Sequence, residues 1–327
     1  MTRAAALETE EFSRAECAEL FSERSPAFWS WAFGPEEDGV VARVCRDEEG
    51  RVLAGLAALR VPALVEGQEA SLLQVVAAYS ALSGLQREGR FVRVAEDFAR
   101  SFGGTAPDGA PLAYGVPTRS IWRIAKERLS AKVMRTQDVL RVKLNRLQLP
   151  ASGDCQVEEV AEFPSEVDAL KLRQSEQSAI VCRHTVRALN QRFVGTPFGE
   201  YRIALARRAG VLVGYAVFKV GQTEFGQRAG VIWDWCVPGS DALAGLSLLD
   251  GLAARARSEL ISELALVLPD TQPDWVALQK VGFRVHGSKL VVAARHFPRQ
   301  LTMRWLYHNF CYSLSDLVLE GPGELYE

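Results

Sequence analysis

The residues whose types and spacing could do chemistry gather between Ser71 and Ser101. Leu72 to Tyr79 is an apolar run of strand length containing the β-branched pair Val75 and Val76, which suits a strand buried on both faces. Gly84 and Gly89 punctuate the polar stretch that follows. Phe91, Val94, Ala95, Phe98 and Ala99 then recur at helical spacing, which predicts a helix beginning near Gly89. The first amides of a helix have no partners within it and carry the positive end of its dipole. A glycine-containing helix start flanked by Arg87 and Arg90 can therefore receive a phosphate; the same residues also describe an ordinary glycine turn with two solvated arginines. Thiol and metal chemistry find less support. Cys17, Cys45, Cys155, Cys182, Cys236 and Cys311 form no Cys-x-x-Cys pair and have no histidine at zinc-ligand spacing, so they read as reduced, mostly buried thiols with no metal site. Cys182 and His184 are two residues apart, and on a helix such side chains point to different faces, which argues against a Cys–His nucleophile.

The elements that must position the Ser71–Ser101 stretch can be read in chain order. Residues 8 to 24 are acidic and amphipathic, with Phe12, Ala15, Leu20 and Phe21 as the apolar set, and predict a first helix. Trp29 and Phe33 share a helical face four residues apart and read as core packing. Val40 to Cys45 and Val52 to Leu59 predict a hairpin turned by Asp47-Glu48-Glu49-Gly50, and Pro62 and Gly67 lead on to the central strand. A short strand within Pro111 to Pro117 and a helix from Ser120 through Lys132 close the unit. Val139 to Leu144 is basic and strand-like, and the basic residues between Lys126 and Arg146 read as a solvated face. Pro150-Ala151-Ser152-Gly153-Asp154 has loop composition, which sets the expected domain boundary between residues 1–150 and 151–327.

From residue 160 the same elements recur. The interval from Phe33 to Gly55 is 22 residues, and that from Phe193 to Gly214 is 21. Leu264 to Pro269 followed by Trp275 parallels Leu112 to Pro117 followed by Trp122. The copies differ where chemistry would sit. After Val231 to Val237 comes Pro238-Gly239-Ser240-Asp241-Ala242-Leu243-Ala244-Gly245, with no Arg or Lys, and a carboxylate at Asp241 favours capping the helix over binding an anion.

Composition bounds the partners. The chain has 327 residues, 48% of them hydrophobic, and Lys+Arg 38 against Asp+Glu 40 give a net charge of −2, so no global basic field exists for nucleic acid or an anionic membrane. No apolar run approaches the length of a membrane span, and the Met-Thr-Arg start running into Glu8, Glu10 and Glu11 does not read as a signal peptide. The expected setting is cytoplasmic.

Gln86-Arg87-Glu88-Gly89-Arg90-Phe91 resembles the pyrophosphate loop of the GNAT superfamily of acyl-CoA-dependent N-acetyltransferases: Gln or Arg, two residues, Gly, one residue, then Gly or Ala. Gln86 and Gly89 match, and Phe91 stands at the final small position. Lys280-Val281-Gly282-Phe283 is similar to the Gly-Phe ending after the penultimate helix of GNAT domains, and Met303 to Val318 resembles the tail of bacterial two-copy GNAT proteins. The resemblance implies an α+β fold with two GNAT-like domains in tandem, each a mixed, mostly antiparallel sheet flanked by helices. It further implies acyl transfer from acetyl-CoA or another acyl-CoA to an amine of a small molecule or peptide. The first domain would hold the donor, with Gln86, Arg87, Glu88, Gly89, Arg90 and Phe91 meeting the phosphates, in an opening between the fourth and fifth strands. The second, with its cofactor loop degenerate, would shape the acceptor site. Many members use a tyrosine from the helix after the fifth strand as the acid for the leaving thiolate. Residues 118 to 132 contain none, so Tyr79 and Tyr114 stand in as candidates, and Asp234 is the candidate base. Two alternatives remain: a catalytically degenerate GNAT-fold binding protein, and a FemABX-like aminoacyl transferase, whose transfer-RNA partner the charge balance argues against.

Overall fold

The computed structural model describes residues 9–11, 26–32, 39–81, 84–104, 108–150, 155–222, 228–297 and 301–318. In chain order they form β1 (Thr9–Glu11), α1 (Pro26–Ala32), β2 (Val40–Arg46), β3 (Val52–Val65), β4 (Gln68–Ser80), α2 (Gly84–Phe102), β5 (Leu112–Gly115), α3 (Arg119–Arg128), β6 (Lys132–Thr136) and β7 (Val139–Lys143). There follow β8 (Cys155–Val160), α4 (Glu166–Ser175), β9 (Ile180–Cys182), α5 (Val186–Phe193), β10 (Tyr201–Arg208), β11 (Val211–Gln222), β12 (Arg228–Cys236), α6 (Ala242–Ser258), β13 (Glu263–Leu266) and α7 (Pro273–Lys280). The chain closes with β14 (Arg284–His286), β15 (Val291–His296), α8 (Met303–Asn309), β16 (Phe310–Cys311) and α9 (Leu314–Leu317). No described helix is long and apolar enough to cross a membrane.

Two compact units result, one from residues 1–62, 70–134 and 292–303, the other from 63–69, 135–291 and 304–327. The first is built on the strand order β1-β2-β3-β4-β5-β15-β6, and the second on β8-β10-β11-β12-β13-β7-β14. Both sheets are mixed and mostly antiparallel; β4 pairs with β5 in parallel, as β12 does with β13. In each unit, the strand that pairs antiparallel with the fourth strand of the repeat comes from the other half of the sequence. Ala293 to His296 of β15 lie against Gly115 to Leu112, and Leu140 to Lys143 of β7 against Leu266 to Glu263. The basic, strand-like Val139 to Leu144 segment is therefore a strand of the second sheet.

Each core lies between the sheet and the helix that follows the central strand. Phe91, Val94, Ala95, Phe98 and Phe102 of α2 pack on Leu56, Leu73 and Ala113, and Leu248, Leu249, Leu252 and Ala256 of α6 pack on Phe218, Ile232 and Leu264. These sets are the apolar faces that helical spacing requires.

Several local expectations change. Thr9–Glu11 is a strand paired antiparallel with Arg43 to Cys45, so the helix expected over residues 8 to 24 does not begin there. Backbone pairing to β2 outweighs the helical pattern at that end. The Trp29–Phe33 pair falls partly outside the described residues; in α1, Phe28 and Trp31 meet edge to face at 5.8 Å. Pro62 lies within β3, where β2 has ended at Leu59 and β9 begins only at Ala63, so its missing N–H breaks no bond to either. The helix expected from Ser120 through Lys132 stops at Arg128 because Ser130 takes a left-handed conformation, φ 54°, that turns the chain into β6.

Candidate functional site

Strands β4 and β5 pair at only two positions, Leu73 with Ala113 and Gln74 with Tyr114, although β4 runs on to Ser80. Beyond Gln74 the two separate. Gly115 stands at the parting: a Cβ there would lie 2.9 Å from the carbonyl oxygen of Val75, so glycine permits the close approach from which the strands diverge. On its β5 side, β4 from Val75 to Ala78 has no paired strand among the described residues. Such an edge accepts an extended ligand carrying its own amides, as it would accept another strand.

A cavity of about 210 Å³ opens beside this parting, wholly within the first unit. Val75 to Ala78 of β4 form one wall, Tyr114 to Thr118 another, and Ile121 and Ala125 of α3 face them. Phe91, Ala95 and Phe98 of α2 close the back, and Ala293, Arg295 and Phe297 complete the lining. The lining is almost entirely apolar; Tyr114, Thr118 and Arg295 are the polar residues that border it.

Leu73 and Val75 pack toward the helical core, and so does Ala78, so the side-chain parity of β4 switches at the parting. The second repeat shows the same irregularity. Val217 pairs with Asp234 and Phe218 with Ile232, which leaves Trp233 as the extra residue of a bulge. With Ala78 on the helical side, Tyr79 faces the other side of the sheet. Tyr114 faces that side too, because Ala113 beside it packs toward the helices. The structure thus brings the two candidate tyrosines to one face of two separating strands. Tyr114 is 1% exposed and Tyr79 is half-buried.

Helix α2 begins at Gly84 rather than near Gly89, because Gly84 to Arg90 already follow helical backbone. The amides without a helical partner are therefore those of the first turn, Gly84 to Gln86, and Glu88, Gly89 and Arg90 lie one turn further in. Arg90 is half-buried, and its Nη1 is buried without a hydrogen-bond partner among the described residues. Phe91 is 1% exposed and borders the cavity.

The corresponding place in the second unit is built differently. Strand β12 also outruns its parallel partner, whose last paired residue is Leu266 opposite Ile232. The C-terminal segment stands between the diverging ends: Ser313 Oγ donates to Asp234 at 2.9 Å, and Tyr312 OH donates to Gln137 Oε1 at 2.6 Å. Gln137 in turn donates to the carbonyl of Leu268, just past β13, at 2.8 Å. Asp234, 1% exposed, also accepts from Tyr215 OH at 2.9 Å and from the amide of Trp235 at 2.8 Å, with Lys171 Nζ at 3.9 Å. Those bonds engage both carboxylate oxygens: Oδ1 accepts from Ser313 and Trp235, and Oδ2 accepts from Tyr215. Asp316 pairs with His184 at 2.6 Å and accepts from the amide of Ser313 at 2.8 Å. Burial alone would lower the Lys171 pKa, and Asp234 with its neighbours outweighs it, so the ammonium titrates well above the usual lysine range. Burial opposes the Asp316 charge as well, but His184 and Lys171 outweigh it and hold the carboxyl well below its usual range. Burial pushes the Cys236 and Cys311 thiols up to about 12. At the start of α6, Asp241 accepts from the amide of Ala244 at 3.1 Å and pairs with Arg208 through both oxygens, at 2.6 and 3.0 Å.

Spacing did not single out Gly115, Thr118 or Arg295 as cavity residues. The one signal for Arg295 was its place as a charged residue in the otherwise apolar run Val291-Val292-Ala293-Ala294.

No family model matches the chain, and no curated protein matches it in sequence. Solved structures do match in fold. A GCN5-related N-acetyltransferase from Anabaena variabilis ATCC 29413 superposes with a TM-score of 0.65 at 15% identity, over 88% of this chain and 73% of its own. A tandem GNAT protein from the clavulanic acid biosynthesis pathway matches at 0.51 and 15% identity, over 89% of this chain and 98% of its own. N-myristoyltransferase of Saccharomyces cerevisiae, solved with bound myristoyl-CoA, matches at 0.53 and 11% identity, over 91% and 81%. At such identities the likeness speaks for the fold. Two repeats of one strand and helix order, each with a parallel pair that parts, together with matches that run over most of the chain, give this protein the GNAT fold in tandem.

Proposed function

We propose that the protein is an acyl-CoA-dependent N-acyltransferase whose donor site lies in the first unit. The observation that carries this reading is the unpaired length of β4 beside an apolar cavity, running straight into the start of α2. The pantetheine arm of coenzyme A carries two amides, and the β4 edge from Val75 onward offers them strand-like hydrogen bonds. The first-turn amides of α2 from Gly84 to Gln86 would receive the diphosphate, with Arg87 and Arg90 beside them; the orphaned Nη1 of Arg90 fits a phosphate contact. Of the stretch from Gln86 to Phe91, this keeps Gln86, Arg87 and Arg90 as phosphate contacts, makes Glu88 and Gly89 helix body, and gives Phe91 to the wall.

Chemistry then rests on positioning: the cleft holds the thioester carbonyl where an acceptor amine attacks it. The carbon–sulfur bond breaks as the carbon–nitrogen bond forms. Tyr114, with Tyr79 on the same face, donates a proton to the departing sulfur, and the proton carried by the attacking nitrogen in the tetrahedral adduct leaves to solvent or a nearby base. Asp234 is assigned to the structure of the second unit. The acceptor is an amine of a small molecule or peptide. Acetyl-CoA is the simplest donor, and free buried thiols suit a cytoplasmic setting.

Calorimetric titration with acetyl-CoA and longer acyl-CoAs tests this. We expect micromolar binding that is lost in Arg87→Glu/Arg90→Glu, and free-thiol release with an amine panel that falls roughly a hundredfold in Tyr114→Phe. Failure of every thioester to bind would sink the reading. Binding without transfer to any amine would favour a non-catalytic GNAT-fold protein, the second reading, for which the tyrosine-free helix α3 speaks.

A further inference from the structure

Among the side chains around the first-unit cavity, Arg295 is out of keeping with its surroundings. It comes from β15, the strand that completes this sheet from the far end of the sequence, and it faces the cavity on an otherwise apolar stretch of wall. Its guanidinium lies over the ring of Phe297 at 5.5 Å, another cavity residue, and has no hydrogen-bond or ion-pair partner among the described residues. Glu96 of α2 acts on it only from longer range, and burial outweighs that attraction, lowering the Arg295 pKa. A partly desolvated guanidinium with five donors and no protein acceptor among the described residues is matched by an oxyanion from a ligand.

Its register says which oxyanion. Arg295 pairs with Ala113, and Ala113 pairs with Leu73, so Arg295 stands at the closed end of the parting. The diphosphate-receiving start of α2 lies beyond Ser80, at the open end. Seven residues of strand separate Leu73 from Ser80, roughly 23 Å at about 3.3 Å per residue. The order of groups along a coenzyme A thioester is diphosphate, pantetheine, sulfur, acyl. With the diphosphate at the open end, the group that arrives at the closed end is the far end of the acyl chain.

We propose that Arg295 binds a carboxylate at the end of the acyl group, so that the preferred donor is the CoA thioester of a short dicarboxylic acid, of the succinyl or glutaryl kind. The inference rests on the acyltransferase reading and deepens it. An Arg–carboxylate pair in a partly desolvated wall discriminates strongly against a donor that leaves the guanidinium unpaired.

The test titrates acetyl-CoA, succinyl-CoA and glutaryl-CoA into the wild type, Arg295→Gln and Arg295→Lys, with thermal unfolding of each variant as the control for folding. The wild type is expected to bind one of the dicarboxylic thioesters at least tenfold more tightly than acetyl-CoA. That preference should vanish in Arg295→Gln and survive in part in Arg295→Lys, while acetyl-CoA affinity moves less than about twofold in both. A wild type without the preference, or an Arg295→Gln variant that keeps it, overturns the assignment. Equal losses for all three thioesters would also overturn it, by placing Arg295 on the shared coenzyme A moiety. A preference for carboxylated amines with no preference among donors would move the carboxylate to the acceptor and overturn it again. If no thioester binds the wild type, the acyltransferase reading fails together with this one, which sets that result apart from the others.

Discussion

The two clefts are built from the same sequence of elements, and one is open where the other is filled. In the first unit β4 parts from β5 beside a cavity, and the start of α2 has an unpartnered arginine nitrogen one turn in. In the second, β12 parts from β13, but the chain's own residues from Tyr312 to Asp316 stand between them, and Asp241 with Arg208 neutralises the start of α6. A strand edge with unpaired amides is costly to bury and useful to expose. The second unit meets its diverging strands with protein, and the first has a cavity beside them. The scaffold supplies the cleft in both copies; what decides its use is the residue at the helix start and the segment beside the strand.

The largest way to break the comparison is to cut the repeats apart. A chain ending at residue 150 would keep β7, which belongs to the second sheet, and lack β15, which pairs with β5 and brings Phe297 to the first core. We expect such a fragment to show no cooperative unfolding transition by circular dichroism, since β5 would be left as an open edge over an incomplete core. A fragment that unfolds cooperatively and binds acyl-CoA would mean that the exchanged strands contribute little.

Next in size is the polar filling of the second cleft. Lys171→Met removes the cation facing Asp234, both being buried, and should cost about 3–5 kcal/mol in urea unfolding because the carboxylate is left uncompensated. Lys171→Met/Asp234→Asn should recover much of that loss, and acyl-CoA affinity should follow neither change. A donor affinity that tracks Lys171 would show that the second unit is more than a filled copy. The same filling sets the pH limits of stability. The Asp316 carboxyl titrates lower in the folded chain than in the unfolded one, so its contribution is present above the unfolded value near 3.8 and is lost as pH falls through the folded one. The Cys236 and Cys311 thiols titrate higher when folded, so their contribution is present below pH 9 and is lost as pH rises toward about 12. Unfolding free energies should therefore decline at both ends, and Cys311→Ala should shallow the alkaline decline alone.

Much of this fold is legible in the residues. The hairpin over Val40 to Leu59, a strand over Leu72 to Tyr79 (buried only as far as Gln74) and the recurrence after residue 160 are all carried by pattern, because alternation and turn chemistry act over a few residues. The exchange of β7 and β15 is not legible, since both are short strands whose partners are chosen by the completed sheet rather than by neighbours in sequence. The site divides in the same way. Tyr114 could be named from its strand, whereas Arg295 reaches the cavity only through a pairing 182 residues away. Asp234 could be recognised as a buried carboxylate, but its hydrogen bond from Ser313, 79 residues on, is a tertiary fact. The glycine pattern misled at one point. Gly89 was read as the turn at which α2 starts, and the helix runs through it, because a single glycine weakens a helix by only about 1 kcal/mol and the apolar face of α2 outweighs that.

The smallest prediction turns on that glycine and its counterpart. A Cβ at Gly89 would meet nothing within 4 Å, whereas a Cβ at Gly245, in the first turn of α6, would lie 3.3 Å from the ring of Trp235. Gly89→Ala should therefore stabilise the chain by about 0.5–1 kcal/mol, the gain from restricting the unfolded backbone and improving helix propensity. Gly245→Ala should give less than that, or none, because the indole must yield by a few tenths of an ångström within a packed core. Paired urea unfolding measures the difference. Acyl-CoA titration of Gly89→Ala then sharpens the contrast between the clefts: with the diphosphate on the amides of Gly84 to Gln86, affinity is unchanged. If Gly89 itself lay against the phosphate, its new methyl group would weaken binding while leaving the gain in stability intact, and the donor site would have to be moved one turn along α2.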